Sequence, residues 1–270
     1  QEYYRWDQWL FLQLFDEGLA YKKEAPVNWC PRDQTVLANE QVVDGACERC
    51  GAVVERRSLA QWYFKITDYT ERLLADLDQL DEWPDRVRTM QRNWIGKSQG
   101  VGFTMKVAGS DHEFEVFTTR PDTIFGMTFA VLSPEHPLVE ELIAGSSVED
   151  EARSYIKEAG RASEIDRMAH GGKTGVFIER HAINPVNGRE VPIYIADYVL
   201  MGYGTGAIMA VPGQDQRDWD FATKYGIEII RTVQPPDDFD GEAYVGDGVT
   251  INSEFLDGLE REEAIARIVD

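Results

Sequence analysis

The feature that most constrains the fold is a series of short β-rich runs that begins after Gly100. These runs are GFTMKV, FEVFTT, TFAVLS, GVFIE, VPIYIADYVL and IEIIRTV, and Gly, Pro and Asn-Gly turns separate them. Helical patterns interrupt them at HPLVEELI, EDEARSYIKEAGR, DQRDWDFATKYG and EFLDGLEREEAIARIV. Many short strands with peripheral helices predict an α+β fold in which helices surround a β-barrel-like sheet.

The first hundred residues have a different pattern. Trp6, Leu10 and Leu14 are spaced for a helix over 4–17, and leucines at helical spacing predict an amphipathic helix over 67–80. Between them, the stretch from Cys30 to Cys50 is turn-rich and too poor in large apolar residues to fold without a staple. We therefore divide the chain into a helical segment (1–25), a cysteine-containing module (26–60), a helical linker (61–97) and a larger domain (98–270).

Composition excludes several classes of protein. The chain has 270 residues, 43% of them hydrophobic, and a net charge of −21, which argues against nonspecific nucleic-acid binding. No apolar run is long enough to span a membrane, and three cysteines do not make a secreted disulfide framework, so we expect a cytoplasmic protein. The first residue is not Met and the chain begins in a helical pattern, so we expect an excised piece of a longer protein.

The segment TTRPDT, residues 118–123, places three hydroxyls, a guanidinium and a carboxylate in one turn. Pro121 fixes its own φ and biases Arg120 toward an extended conformation, so the flanking side chains point in defined directions. We call residues 118–123 the threonine turn. A capped turn with a local Arg120–Asp122 ion pair is the simpler interpretation of such a segment.

A second polar cluster is GYGTGAIMAVPGQDQRDWDFA, residues 202–222, in which a helix begins near Asp215. Asp215 is predicted to cap the helix, since its carboxylate can accept hydrogen bonds from free backbone N–H groups. Asp218 lies one turn further on and is less easily explained, because capping needs one acid; pairing with Arg217 or Lys224 is the alternative. The glycines match neither a Walker loop nor a dinucleotide fingerprint.

The three cysteines suggest a metal site. Cys47 and Cys50 have the spacing of one half of a zinc knuckle, and Cys30 begins a similar half in which Asp33 replaces the second cysteine. Three thiolates and a carboxylate predict a possible structural zinc, and occupancy stays open.

Taken together, these segments carry a family resemblance. TTRPDT, followed by YGTGAIMAVPGQDQRDWDFA, resembles the editing domain of class I aminoacyl-tRNA synthetases, and VNWCPRDQTVLANEQVVDGACERCG and MQRNWIGKSQG resemble the leucyl-tRNA synthetase insertion. The resemblance covers nearly the whole chain. It makes 1–25 a helix of the catalytic core, 26–60 a zinc-knuckle-like module and 98–270 the editing domain. The HIGH and KMSKS signatures are absent, so ATP-dependent leucine activation is expected only of the parent enzyme.

The resemblance implies post-transfer editing: hydrolysis of the ester of mischarged aminoacyl-tRNA(Leu), sparing leucine, with no cofactor required. Its partners would be the 3′ end of the tRNA and the rest of the synthetase, with no membrane. The resemblance gives catalytic roles to Thr118, Thr119 and Asp218. It assigns the substrate-binding roles to Arg120, Asp122, Thr123, Tyr203, Met209, Val211 and Asp215. Gln214 departs from the family, in which many members have His, and this weakens any general-base role there.

Two alternatives remain. The chain could be a non-catalytic module that binds the RNA end, and deacylation by the chain itself would distinguish the two. It could also be a zinc-dependent hydrolase using Cys30, Cys47 and Cys50, but a closed structural site has no open ligand position. Activity that resists a chelator would exclude this second alternative.

Overall fold

A computed structural model describes residues 2–43, 45–160, 167, 173–201 and 204–270. The chain divides into two compact units, Gln1–Ser98 and Gln99–Asp270. Two strands of the first unit, Ala20–Cys30 and Glu55–Phe64, run without a break across the predicted boundaries at 25/26 and 60/61. The four-part division stays a prediction. No helix among the described residues is long and apolar enough to cross a bilayer.

The first unit is a small antiparallel sheet flanked by helices. Its order is β2-β1-β5, beside a two-stranded β3-β4 ribbon. Its elements are α1 Tyr4–Asp16, β1 Ala20–Cys30, β2 Thr35–Leu37, β3 Val42–Val43, β4 Ala46–Cys47, β5 Glu55–Phe64, α2 Thr70–Asp76 and α3 Asp85–Ile95. The helix predicted over 4–17 is confirmed, and Gly18 ends it with φ +70°.

The helix predicted over 67–80 is wrong in its length. Only Thr70–Asp76 is α-helical, and short 3₁₀ turns, Ile66–Tyr69 and Leu77–Gln79, flank it on both sides. Tightening of this kind is common at helix ends, where i→i+3 hydrogen bonds satisfy groups that have no α-helical partner.

The second unit contains a six-stranded mixed sheet of order β11-β8-β10-β9-β6-β7, in which β8 and β10 are parallel and the other described pairs are antiparallel. Its strands are β6 Val101–Val107, β7 Glu113–Thr118, β8 Phe129–Leu132, β9 Gly175–Ile183, β10 Glu190–Ala196 and β11 Ala207–Ala210. Its helices are α4 Pro137–Ile143, α5 Glu149–Ala159, α6 Gln216–Tyr225 and α7 Arg261–Val269, with 3₁₀ turns at Pro121–Gly126 and Glu254–Leu256.

The sheet curls until its two edge strands, β7 and β11, lie side by side. The Thr205 hydroxyl, just before β11, donates a 2.6 Å hydrogen bond to the carbonyl of Glu115 in β7. No ladder joins these edges within the described part of the chain, so the fold is α+β and barrel-like without a closed barrel. This confirms the predicted fold class.

Two apolar clusters form the core of this unit. Inside the curl, side chains such as Met105, Leu132 and Ile193 are fully buried. On the outer face, Phe221 of α6 packs on Phe129 of β8, with ring centroids 5.2 Å apart. β8 is therefore buried on both faces, and α6 is fixed on the sheet by aromatic packing.

The strand predicted at 227–233 is wrong. This segment forms only an isolated bridge between Val233 and Thr250, with backbone hydrogen bonds from Gln234 to Val249 and from Ile251 to Thr232. Ile227 and Ile229 pack on the aromatic cluster, so the apolar pattern reflects burial rather than strand pairing. The segment instead passes so close to Gly213 that a Cβ there would clash with the Ile230 carbonyl oxygen.

Candidate functional site

The threonine turn follows directly from the end of β7. The backbone N–H of Arg120 donates to Thr118 Oγ1 at 3.0 Å, and Thr123 Oγ1 donates to the Arg120 carbonyl at 2.8 Å. Pro121 then begins the fully buried 3₁₀ turn Pro121–Gly126. Local hydrogen bonds and a proline thus fix the directions of the Thr118 and Thr123 hydroxyls.

The predicted Arg120–Asp122 pair is present and is bidentate. Arg120 Nε lies 2.9 Å from Asp122 Oδ1, and Nη2 lies 2.7 Å from Oδ2. The Asp122 side chain is completely buried, whereas that of Arg120 is 19% exposed. The charge of Asp122 is therefore neutralised inside the turn, and Asp122 does not reach the cavity described below.

Asp215 caps α6, as predicted. Its carboxylate accepts hydrogen bonds from the backbone N–H groups of Arg217 and Asp218, and it also pairs with the Arg217 guanidinium at 2.9 Å. Burial alone would raise the pKa of Asp215, but the Arg217 side chain and the two N–H groups outweigh it and hold this pKa below its usual range.

Asp218 is buried and has a different environment. Its Oδ1 accepts from the Tyr198 hydroxyl at 3.0 Å, and its Oδ2 accepts from the backbone N–H of Val211 at 2.8 Å. The alternative pairings are wrong: the Arg217 guanidinium binds Asp215, and Lys224 Nζ donates to the Lys173 carbonyl. Both hydrogen-bond donors to Asp218 are uncharged.

This environment makes Asp218 unusually basic. Burial, reinforced by the negative charge of Asp215, raises the pKa of Asp218 to about 7. Burial also raises the pKa of Tyr198 well above its usual value, with the Asp218 charge adding to it, so Tyr198 stays a hydroxyl donor. Such a carboxylate is stabilised by any cation that reaches it.

The threonine turn and the start of α6 face each other across a cavity of about 190 Å³. Its walls come from both clusters and from β11. The lining residues are Phe117, Thr118, Thr119, Arg120, Thr123, Ile208, Met209, Val211, Gln214, Asp215, Arg217 and Asp218. The structure thus brings most of the predicted site residues together; Tyr203 lies outside the described residues.

Sequence reasoning missed two residues of this site. Tyr198 was assigned to a strand run, although its hydroxyl binds Asp218, and Gln214 was noted only as a departure from the family. Gln214 is 8% exposed and lines the cavity. Its position immediately before the capping Asp215 was the available signal, whereas nothing in the sequence links Tyr198 to Asp218.

Two larger cavities of the same unit carry less suitable chemistry. One, of about 930 Å³, shares Thr119 with the site but is lined by carboxylates including Asp247, Glu260 and Glu263. The other, of about 650 Å³, contains no predicted site residue. The smaller cavity is therefore the candidate active site.

The first unit holds a candidate metal site. Ligand atoms of Cys30, Asp33, Cys47 and Cys50 all lie within 4.8 Å of one another. The Cys30 and Cys50 sulfurs are 3.4 Å apart, and Cys47 Sγ lies 3.4 Å from Asp33 Oδ2. Ligands of a tetrahedral zinc bound by thiolates lie about 3.8 Å apart, so the four residues could hold such an ion after a small expansion.

Comparison with known proteins identifies the family of this chain. The family model described as "Leucyl-tRNA synthetase, editing domain" matches residues 92–270, about two thirds of the chain. The chain belongs to this family. A second model, for class I tRNA synthetases of the I, L, M and V group, matches residues 1–102.

Curated relatives of the chain support the same family. The chain is 55% identical to a leucine–tRNA ligase of Thermotoga petrophila, an alignment that covers all of this chain and 33% of the relative. It is 56% identical to the leucine–tRNA ligase of a Nocardioides species over 93% of this chain and 30% of the relative. The chain therefore spans about a third of the length of these relatives.

A solved structure is also similar. It is the LeuRS–tRNA–LeuAMS ternary complex of Agrobacterium radiobacter K84, with a TM-score of 0.67 and 38% identity over 97% of this chain and 30% of the other. The alignment covers nearly the whole chain.

Proposed function

We propose that the second unit hydrolyses the ester bond of mischarged aminoacyl-tRNA(Leu) and spares leucyl-tRNA(Leu), as the editing activity of a leucine–tRNA ligase. The observation that carries the proposal is the single cavity shared by the threonine turn and Asp218. The aminoacylation itself, with ATP, would belong to the parent enzyme in the cytoplasm.

Asp218 is the proposed anchor for the α-ammonium group of the substrate. Its hydrogen-bond donors, Tyr198 and the Val211 N–H, are neutral, so the substrate's ammonium would supply the counterion that favours the charged form of the carboxylate. Burial of this pair strengthens the attraction compared with a pair in water. The ester carbon is thereby placed at a fixed distance from the turn.

Thr118 and Thr119 are the proposed water-positioning residues. Thr118 Oγ1 accepts from the Arg120 N–H, which leaves its own hydroxyl proton free to donate into the cavity. An aminoacyl ester is already activated, so orientation of water and stabilisation of the oxyanion can suffice for hydrolysis. The substrate's own ribose hydroxyl can assist.

Thr123, Met209 and Val211 are the proposed walls around the amino-acid side chain. A synthetic site distinguishes aliphatic side chains that differ by one methylene by only about 1–3 kcal/mol, so a second site that hydrolyses the errors multiplies the discrimination. Thr123 is completely buried and immobilised by its bond to Arg120, which suits a rigid wall that excludes leucine.

The tRNA would present only its 3′ end to this unit. The cavity of about 190 Å³ can accept an aminoacyl group but not the attached adenosine, which would lie outside it. Because the chain has a net charge of −21, most phosphate contacts would come from the rest of the synthetase.

The cysteine cluster is the proposed site of a structural zinc, bound by Cys30, Cys47, Cys50 and Asp33. A bound zinc would cross-link and stabilise this module, whose buried core is otherwise formed by Leu37 and the cysteines themselves. With four protein ligands it would leave no position for substrate, so deacylation is expected to survive removal of the metal.

The test is a deacylation assay with norvalyl-, isoleucyl- and leucyl-tRNA(Leu). The chain is assayed alone and in a chimera in which it replaces the matching third of the Thermotoga petrophila enzyme. We expect the chimera to deacylate the first two and to spare the third. Chimeras that aminoacylate but only bind the mischarged tRNA would support the non-catalytic binding module instead.

The threonine roles have their own test in the same chimera. The double variant Thr118→Ala/Thr119→Ala is expected to lose most single-turnover deacylation. Hydrolysis at the rate of the unsubstituted chimera would remove both residues from the catalytic group.

A further inference from the structure

Tyr198 is buried beside the candidate active site but does not line its cavity. Its hydroxyl donates to Asp218 Oδ1 at 3.0 Å, and the backbone N–H of Val211 donates to Oδ2 at 2.8 Å. The second bond comes from the main chain and needs no particular side chain. Among the residues that the structure describes, Tyr198 is therefore the one side chain that donates a hydrogen bond to Asp218.

The position of the Tyr198 hydroxyl is fixed by the residues around it. Its ring packs on Phe221 of α6, with ring centroids 5.7 Å apart. The backbone on either side is held by Arg167, whose Nε donates to the Asp197 carbonyl at 2.7 Å and whose Nη2 donates to the Val199 carbonyl at 2.9 Å. The hydroxyl is thus oriented by packing and by main-chain contacts before any substrate binds.

The two hydrogen bonds, one on each oxygen, define the plane and the direction of the Asp218 carboxylate. Each oxygen can accept a further bond, and Asp218 lines the cavity, so the carboxylate can also accept from a substrate. Without the Tyr198 hydroxyl, only the bond from Val211 would restrain it. The carboxylate could then turn about its last side-chain torsion, which has a broad energy minimum in aspartate.

The charged groups around Asp218 do not neutralise it. Asp215, three residues earlier at the start of α6, is itself an acid. The Arg217 guanidinium binds Asp215. On the facing threonine turn, the Arg120 guanidinium binds Asp122. Both guanidinium groups that line the cavity are thus bound by other acids, so the ionisation of Asp218 depends on its hydrogen bonds.

The Tyr198 hydroxyl favours the ionised form of Asp218. Burial, reinforced by the charge of Asp215, raises the pKa of Asp218 to about 7, and the two hydrogen bonds to the carboxylate oppose this rise. Burial also raises the pKa of Tyr198 well above its usual value, so the donor keeps its proton. On the far side of the tyrosine, Lys173 Nζ lies 6.0 Å from the centre of the ring. Loss of the hydroxyl would move Asp218 toward the neutral form, which attracts an ammonium group weakly.

We propose that Tyr198 is a positioning residue for the ammonium anchor: its hydroxyl holds the Asp218 carboxylate in a fixed direction and in its charged form. This inference rests on the proposed function. Tyr198 touches neither the substrate nor the attacking water, transfers no proton and acts only through Asp218. The rate of editing near neutral pH therefore depends on a residue that lies outside the cavity.

The principal test is Tyr198→Phe in the chimera, because phenylalanine keeps the ring and loses the hydroxyl. We expect single-turnover deacylation of norvalyl-tRNA(Leu) at pH 7 to fall about tenfold, as for loss of one hydrogen bond to a charged group. With enzyme below saturation, the rise of the rate with pH reports the free enzyme, and it should move to higher pH by about one unit. The substrate's ammonium titrates alike in every variant, so a difference between profiles belongs to the enzyme.

Two further variants separate positioning from packing. Tyr194→Phe is the matched control, because Tyr194 packs on Phe221 in the same aromatic cluster, with centroids 5.2 Å apart, and does not bond to Asp218. It should keep the unsubstituted rate and pH profile. Tyr198→Phe is also combined with Asp218→Asn. The double variant should be no slower than Asp218→Asn alone, because a residue that acts through Asp218 then has nothing to position.

A further measurement uses the unsubstituted chain and does not depend on the folding of Tyr198→Phe. The ¹³C NMR signal of Tyr198 Cζ, the carbon that bears the hydroxyl, is followed from pH 5 to pH 9. We expect the signal to move with a midpoint near pH 7, because the hydroxyl then donates to a charged oxygen instead of a neutral one. In Asp218→Asn the signal should not move over this range.

The outcomes separate the inference from the function on which it rests. If the unsubstituted chimera aminoacylates but deacylates nothing, the proposed function fails, and the inference fails with it even where the NMR signal shows the hydrogen bond. If the chimera deacylates, the inference is overturned by a Tyr198→Phe rate that is unchanged or that falls equally at every pH. A further loss in the double variant, or a Tyr198 signal that does not respond to the ionisation of Asp218, overturns it as well.

Discussion

Asp122 in the threonine turn and Asp218 at the start of α6 are both buried carboxylates, yet they have opposite kinds of partner. Asp122 receives three hydrogen bonds from the guanidinium of Arg120, two residues away. Asp218 receives only neutral donors and its pKa is raised to about 7. A carboxylate neutralised within the chain maintains the fold, whereas one that has only neutral donors is suited to a cationic ligand.

The largest effect is expected from Asp218→Asn. Loss of the ammonium anchor should lower deacylation of norvalyl-tRNA(Leu) about 1,000-fold, equivalent to about 4 kcal/mol. Single-turnover kinetics in the chimera measure it. Asp220→Asn, an exposed acid on the same helix, is the control and should be unaffected. Substantial activity in Asp218→Asn would contradict the role of Asp218 as the ammonium anchor, and with it the contrast to Asp122.

Asp122→Asn should act on stability. It leaves the Arg120 guanidinium without its partner in a largely buried turn, which costs about 3 kcal/mol. Denaturant unfolding of the chain measures the loss. Asp247→Asn removes a pair that is exposed, with a side chain that is 77% exposed, and should cost well under 1 kcal/mol. Equal effects of the two substitutions would show that Asp122 is not a structural acid.

The pH dependence of stability sharpens the contrast. The folded-state pKa of Asp218 lies above its unfolded value near 3.9. At a pH between these two values, the folded protein binds a proton on Asp218 that the unfolded chain has lost. The contribution of this proton to the free energy of unfolding is complete below about pH 4 and is lost as pH rises to about 7. From pH 5 to pH 8 the unsubstituted chain should lose about 2–3 kcal/mol relative to Asp218→Asn. Parallel pH profiles would contradict the raised pKa.

The smallest effect is expected at the pocket wall. Thr123→Ala removes buried volume beside the threonine turn and should admit leucine, which raises hydrolysis of leucyl-tRNA(Leu) about tenfold. Leucyl- and norvalyl-tRNA(Leu) are compared in one assay. Thr104→Ala, on an exposed position of β6, is the control. A variant that still spares leucyl-tRNA(Leu) would remove Thr123 from the specificity wall.

The sequence predicted elements whose pattern is local. The α6 cap at Asp215 follows from residue types within one helical turn, and the strands β6 and β7 follow from the short β-rich runs at these positions. The run 227–233 was misassigned, because apolar residues buried over an aromatic cluster have the same composition as a strand. Burial alone does not supply the partner that a strand requires.

The site could be predicted only where the family resemblance supplied the residues. Nothing local connects the threonine turn to Asp218, which lies about 100 residues further along the chain. The contacts of Tyr198 with Asp218 and of Thr232 with Gln214 likewise join separate elements. Each depends on how the sheet curls, which periodicity does not encode. The roles themselves stay predictions until the variants are measured.

The hydrogen bond from Thr205 to Glu115 has a consequence for the behaviour of the protein in solution. β7 and β11 would each present unpaired N–H and C=O groups to water if the sheet were flat. Because these strands lie against each other, neither margin is available to recruit a strand from another molecule. Thr205→Val is therefore expected to favour self-association before it affects the chemistry.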